Sequence, residues 1–222
     1  DAHFIGHPEA FGDFLLAKPA GETIKEPGTK FNKIILLPGS RRSEISLILP
    51  EMLAATAIIK RHDPNLNFVL PAVPHLLPLI EDLVEGSGVT ILDQPEDLIP
   101  ALQTSDAMIA TSGTITLQAA LCGTVGVTCY LTDAFSGFIG RRLVDLDKVI
   151  LPNAILGRPL YPFYFQEAAT GKTLAAATLD CLYDANAKSS ARHAAIELKS
   201  LLTGGAQTFD ELVIRALKNW LD

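Results

Sequence analysis

Four consecutive apolar residues, Ile34 to Leu37, run directly into Pro38-Gly39-Ser40, a pair of arginines (Arg41 and Arg42) and Ser43-Glu44. This stretch constrains the fold more than any other. The apolar run is too short for a helix and reads as a buried strand, Gly39-Ser40 permits a tight turn, and a helix opens at once behind it. A strand, a glycine turn and a helix start beside arginines can receive an anion, because the first turn of a helix carries unpaired N–H groups and a partial positive charge. Many α/β proteins carry such a turn with nothing bound to it, so the stretch alone leaves a phosphate site and a plain turn both open.

The rest of the chain repeats the alternation. Strands are expected at 34–37, 67–73, 89–92, 106–110, 125–131 and 148–151. Helices are expected between them at 43–62, 76–85, 95–103, 115–121 and 135–144, and beyond Leu174 the pattern is helical only, at 173–184, 191–202 and 209–221. Alternating strand and helix predicts an α/β fold, a doubly wound parallel sheet covered on both faces. Pro50 should kink or restart the first long helix, since it removes a backbone donor and crowds the preceding turn. Residues 1–32 contain Pro19-Ala20-Gly21 and Pro27-Gly28 and read as an interdomain linker, leaving 33–222 as the ligand-binding domain with its C-terminal helices.

Composition narrows the function classes. With 222 residues, 48% of them hydrophobic, the chain can bury a sizeable core. No apolar run approaches the roughly 20 residues of a membrane span, and Asp1, His3 and His7 stand where a signal peptide would have its basic and apolar regions. A net charge of −7 argues against nucleic acid as a partner. Cys122, Cys129 and Cys181 are odd in number and lack metal-ligand spacing, which suits reduced thiols in a cytoplasmic protein, most simply as small buried hydrophobes.

Thr111-Ser112-Gly113-Thr114 has the same recipe as the opening stretch: the 106–110 strand ends in small hydroxyl residues and glycine, and a helix begins immediately. In a doubly wound sheet such turns line one edge, where ligands bind. Two of them suggest a diphosphate. Gln118 lies one turn inside that helix, where it either reaches a ribose hydroxyl or faces solvent. The Asp145/Asp147 pair precedes a short predicted strand instead of ending one, and the five histidines are scattered, so no metal site is expected.

LeuLeuProGlySerArgArgSerGluIle (36–45), Ser112-Gly113-Thr114 with Leu117, ArgArgLeuVal (141–144) through LeuProAsn (151–153), Gly157-Arg158 and Gln166 together resemble the lipid-A-disaccharide synthases; PheIleGlyHisPro (4–8) resembles the passage between that family's two domains. The resemblance implies a GT-B glycosyltransferase in which two Rossmann-like domains face across a cleft, with this chain as the C-terminal, donor-binding half and an N-terminal acceptor domain as its partner. It implies inverting transfer of diacylglucosamine from a UDP donor to a diacylglucosamine 1-phosphate, with the UDP-sugar as substrate, no metal, no other cofactor, and a chain inactive or nearly so alone. Arg41 and Asn153 are then the expected catalytic residues, and Gly39, Ser40, Arg41, Ser112, Gly113, Thr114 and Gln118 the expected donor-binding set. Without a cation, the leaving diphosphate must be stabilised by helix N-termini and arginines. For Arg41 the plain alternative is a solvated surface charge, for Asn153 a turn residue after Pro152, and for Glu44 a charge that merely favours the helix start.

The sequence departs from the family pattern at two places. Gln118 stands where the family ordinarily has a glutamate, and Phe163 where a second glutamate is expected. A glutamine keeps an acceptor but loses the charge, and a charge-assisted bond is about twice as strong as a neutral one. A non-catalytic UDP-sugar-binding module is therefore one competing reading, and a glycosyltransferase or epimerase for another UDP-sugar is a second. Tyr161, Phe163, Tyr164 and Phe165 form the densest aromatic cluster. It suits either packing or contact with acyl chains at the inner-membrane surface, helped by Phe135, Phe138 and Ile139 beside Arg141-Arg142. Leu212, Val213, Ala216 and Trp220 give the last predicted helix an apolar face, from which a homodimer, formed by exchange of that helix, is expected.

Overall fold

The computed structural model describes residues 8–11, 33–132 and 149–204, together with 206, 208–211, 213, 214 and 218. Among the described residues six strands form one parallel sheet: β1 (Lys33–Leu37), β2 (Asn67–Pro71), β3 (Val89–Leu92), β4 (Ala107–Thr111), β5 (Gly126–Tyr130) and β6 (Phe163–Phe165), in the order β3-β2-β1-β4-β5-β6. The helices are α1 (Arg42–His62), α2 (Leu77–Val84), α3 (Leu98–Thr104), α4 (Thr114–Leu121), α5 (Leu151–Leu156), α6 (Gly171–Tyr183) and α7 (Ala185–Thr203).

The continuous apolar run of β1 has a direct cause in this layering. Successive residues of a strand point to opposite faces, and both faces here are covered. Ile34 and Leu36 lie in one core layer with residues of α1, α2 and α6, whereas Ile35 and Leu37 lie in the other with residues of α3, α4 and α7. Each such side chain, fully buried, contributes roughly 1.5–3 kcal/mol. Ala10, in a 3-10 turn (Pro8–Phe11), belongs to that second layer, and Phe11 packs edge-on against Phe209 at 6.0 Å between ring centroids. The domain core thus includes part of the stretch expected to be linker.

Most expected elements are present within one or two residues of their bounds, and several differ. α1 runs through Pro50 without a break. Pro50 and Ser46 are both exposed, so the Ser46 carbonyl that Pro50 cannot bond is on the side open to water. Of the last expected strand, 148–151, the described residues lead into a helix: Ile150 caps α5, Pro152 occupies its first turn and Gly157 closes it in the left-handed conformation (φ 65°). The sixth strand is instead Phe163–Phe165, with Thr128 opposite Phe163. The sequence shows only an aromatic cluster there. The third C-terminal prediction, 209–221, is helical at the positions described, while Leu212, Ala216 and Trp220 lie outside the described residues, as do the expected helix 135–144 with Arg141-Arg142 and the Asp145/Asp147 pair.

Candidate functional site

The strand order reverses direction between β1 and β4, and the two pair directly, Leu37 opposite Ala110. Chains leaving the carboxyl ends of such strands diverge to opposite faces and open a crevice. A cleft of about 430 Å³ lies there, lined by the β1 turn (Gly39, Ser40, Arg41), the β4 turn (Ser112, Gly113, Thr114) and, from the β2 and β3 side, Pro71 to Pro74, Gln94 and Leu98. That volume falls in the range of small-molecule sites, roughly 300–1,000 Å³. The two glycine turns picked out in the sequence therefore form two walls of one cavity. Gly39 (φ 107°) and Gly113 (φ 151°) both take backbone angles that side chains disfavour.

The donors at these turns are already divided. Glu44 is mostly buried, and its Oε2 accepts the amides of Ser40 and Arg41, each at 3.3 Å, while Oε1 accepts Arg41 Nη1 at 2.8 Å. A guanidinium cannot accept a hydrogen bond, so only the glutamate half of a capping box operates. The carboxylate occupies the space a Cβ on Gly39 would need. On the other wall, the Ser112 amide is bonded to the Cys129 carbonyl at 3.2 Å and continues the β4–β5 ladder. The amides of Gly113 and Thr114 precede any carbonyl that α4 could offer them, and both residues are exposed at the cleft. Thr111, 4% exposed at the end of β4, lines the cleft with a buried hydroxyl that has no hydrogen-bond partner among the described residues. A buried hydroxyl left unpaired costs about 1–3 kcal/mol.

Two expected site residues stand elsewhere. Asn153 is buried in α5 and does not line the cleft. Its Oδ1 accepts the amides of Leu160 and Tyr161 at 2.9 and 3.0 Å, and its Nδ2 donates to the Tyr161 carbonyl at 2.9 Å. Three of the carboxamide's four hydrogen-bonding positions thus satisfy buried backbone, and the structure sets it beside residues 160 and 161 and not in the cleft lining. Tyr161 is itself core, 1% exposed, with its hydroxyl donating to the Thr124 carbonyl at 2.7 Å. Gln118 is half-buried one turn into α4 and also lies off the cleft lining. The sequence places Thr111 in the second turn and Glu44 at a helix start, but the bonds of Glu44 to the Ser40 and Arg41 amides and the burial of the Thr111 hydroxyl emerge only in the fold, an acidic residue at the third helical position being the signal for the first.

Among the described residues no three His, Cys, Asp or Glu side chains cluster closely enough to hold a metal ion, and no helix is long and apolar enough to cross a membrane. The family model for lipid-A-disaccharide synthetase matches residues 1–214. The chain belongs to the lipid-A-disaccharide synthase family. Curated members include a lipid-A-disaccharide synthase of Paraburkholderia phytofirmans, 39% identical over 82% of this chain and 48% of its own length, and one of Nitrosococcus oceani, 31% identical over 97% and 57%. The chain spans about half the length of the synthases it matches. Solved structures similar in fold are Acinetobacter baumannii MurG (TM-score 0.54, 17% identity, 92% of this chain and 55% of that one) and a spinosyn rhamnosyltransferase complexed with thymidine diphosphate (TM-score 0.54, 19% identity, 86% and 46%). The parallel sheet and these structures agree on a Rossmann-like α/β fold.

Proposed function

We propose that the chain is the donor-binding half of a lipid-A-disaccharide synthase, holding a UDP-linked diacylglucosamine by its diphosphate in the cleft between the β1 and β4 turns. The observation that carries this reading is the convergence of the two glycine turns at the reversal of strand order, with an arginine side chain 76% exposed on one wall and an unpaired buried hydroxyl at the floor. Family membership supports the substrate class. Departure of the sugar from UDP leaves negative charge on the diphosphate. Arg41, the Ser40 and Thr114 hydroxyls and the amides at the start of α1 and α4 are preset donors for that charge, and preset donors in a cleft stabilise a developing anion without reorganising. The acceptor sugar, inversion at the anomeric carbon and a general base belong to a preceding domain, so the chain alone turns over little or no substrate. Transfer proceeds without a metal.

Calorimetric titration of the chain with UDP tests the site. Binding is expected, weakened about tenfold or more by Arg41→Ala, on the scale of one charge-assisted bond. No heat of binding at millimolar UDP would sink the proposal. The departures at Gln118 and Phe163 favour a second reading, a UDP-sugar-binding module without catalysis, which the same titration leaves standing and a reconstituted assay decides.

A further inference from the structure

A buried carboxylate at the edge of a diphosphate cleft is unexpected, because like charges repel. Glu44 nevertheless points its carboxylate at the very turn that should hold the anion, with its side chain 10% exposed. Resting on the donor-site reading above, we infer that Glu44 is a positioning residue: it braces the Gly39–Arg41 turn and aims Arg41 into the cleft, and it stays in place when the donor binds.

The geometry is one-sided. The short contact, 2.8 Å, ties a single guanidinium nitrogen, Nη1. The guanidinium carries five N–H groups in a rigid fork, and its remaining ones make no hydrogen bond among the described residues, on a side chain 76% exposed. The anion of this pair is buried behind the turn and the cation faces outward. The same carboxylate collects the amides of Ser40 and Arg41, which lie before the helix. It leaves the amides of Arg42, Ser43 and Glu44, which have no carbonyl one turn back within α1. Glu44 thus removes the donors that point inward and leaves a phosphate those of the first helical turn and the outer edge of Arg41. Gly39 completes the arrangement, since any Cβ there would meet the Glu44 carboxylate.

A carboxylate that had to be displaced by the ligand would use the same three bonds, and the two roles predict opposite signs. Simple charge repulsion makes Glu44→Gln bind UDP more tightly; bracing makes it bind more weakly. The experiment titrates wild type, Glu44→Gln and Glu44→Asp with UDP by calorimetry and with uridine by ligand-observed NMR, folding being checked by circular dichroism. Glu44→Gln is expected to weaken UDP about tenfold and to leave uridine within about twofold. Glu44→Asp keeps the charge but withdraws it by one methylene, and should weaken UDP similarly. In an Arg41→Ala background Glu44→Gln should change UDP affinity less than about twofold, because residues that act through one another are not additive. Unchanged or tighter UDP binding in the folded variants, parallel losses for uridine and UDP, or full additivity with Arg41→Ala would each overturn the positioning role. If wild type itself fails to bind UDP, the donor-site reading falls instead.

Discussion

The cysteines sit where burial keeps their thiols protonated. Burial pushes Cys122 from the ordinary 9.0 up to about 12, and burial followed by the nearby Glu51 charge pushes Cys129 to about 12 as well. Cys181 is raised in the same direction, chiefly by burial, as is the Tyr161 phenol. Above pH 9 the unfolded chain releases these protons while the folded chain retains them, so the unfolded state binds fewer protons and stability falls with rising pH. Their stabilising contribution is complete below 9 and lost as the pH climbs toward 12. The melting temperature should accordingly drop on the alkaline side, and the Cys122→Ala/Cys129→Ala double variant should show a shallower slope, with Cys181 and Tyr161 leaving a residual one; an unchanged slope would refute the assignment. Cys129 is buried, as expected of a small hydrophobe, whereas Cys122 and Cys181 are half-buried, which number and spacing do not reveal. The role of Asn153 was not legible either: residue type and position are the same whether a carboxamide holds a ligand or its own backbone, and only the fold of 157–161 back onto α5 decides.

At the scale of elements, α1 and α6 pack against one another where α6 begins. Thr170 caps α6 by accepting the Thr173 amide, and Glu51 of α1 accepts the Gly171 amide at 2.6 Å. A Cβ added at Gly171 would lie 2.5 Å from the Ala54 Cβ and 3.0 Å from the Ala55 nitrogen. Gly171→Ala should therefore cost about 1–3 kcal/mol by overpacking, read as a lower urea midpoint at unchanged slope, with UDP affinity preserved because the contact lies off the cleft lining. Five of the six strands and most helices were readable because their apolar residues recur at the periods that burial imposes on strand and helix. The sixth strand was not readable, since three residues of Phe-Tyr-Phe at a sheet edge have no period to detect. α5 was misread because Ile150-Leu151 looks like a strand until Pro152 is taken as a first-turn residue.

Over the whole molecule, the chain covers about half of the synthases it matches, and on the donor-site reading we propose, it supplies a half-site. Joined to the preceding half of the Paraburkholderia relative, the chain should form disaccharide from UDP-diacylglucosamine and diacylglucosamine 1-phosphate. Disaccharide made by the chain alone would contradict the division of labour; none made by the fusion, with UDP still bound, would favour the non-catalytic module. The pairing of β1 with β4 has a kinetic meaning besides. Lys33 accepts the Asp106 amide at its carbonyl and donates its own amide to the Asp106 carboxylate, 73 positions away. Contacts of such separation form only after a long loop has closed, against chain entropy. The two turns can hence meet only once the sheet's centre is assembled, so during refolding the appearance of nucleotide binding would time the closing of that central seam, separately from the earlier gain of helix.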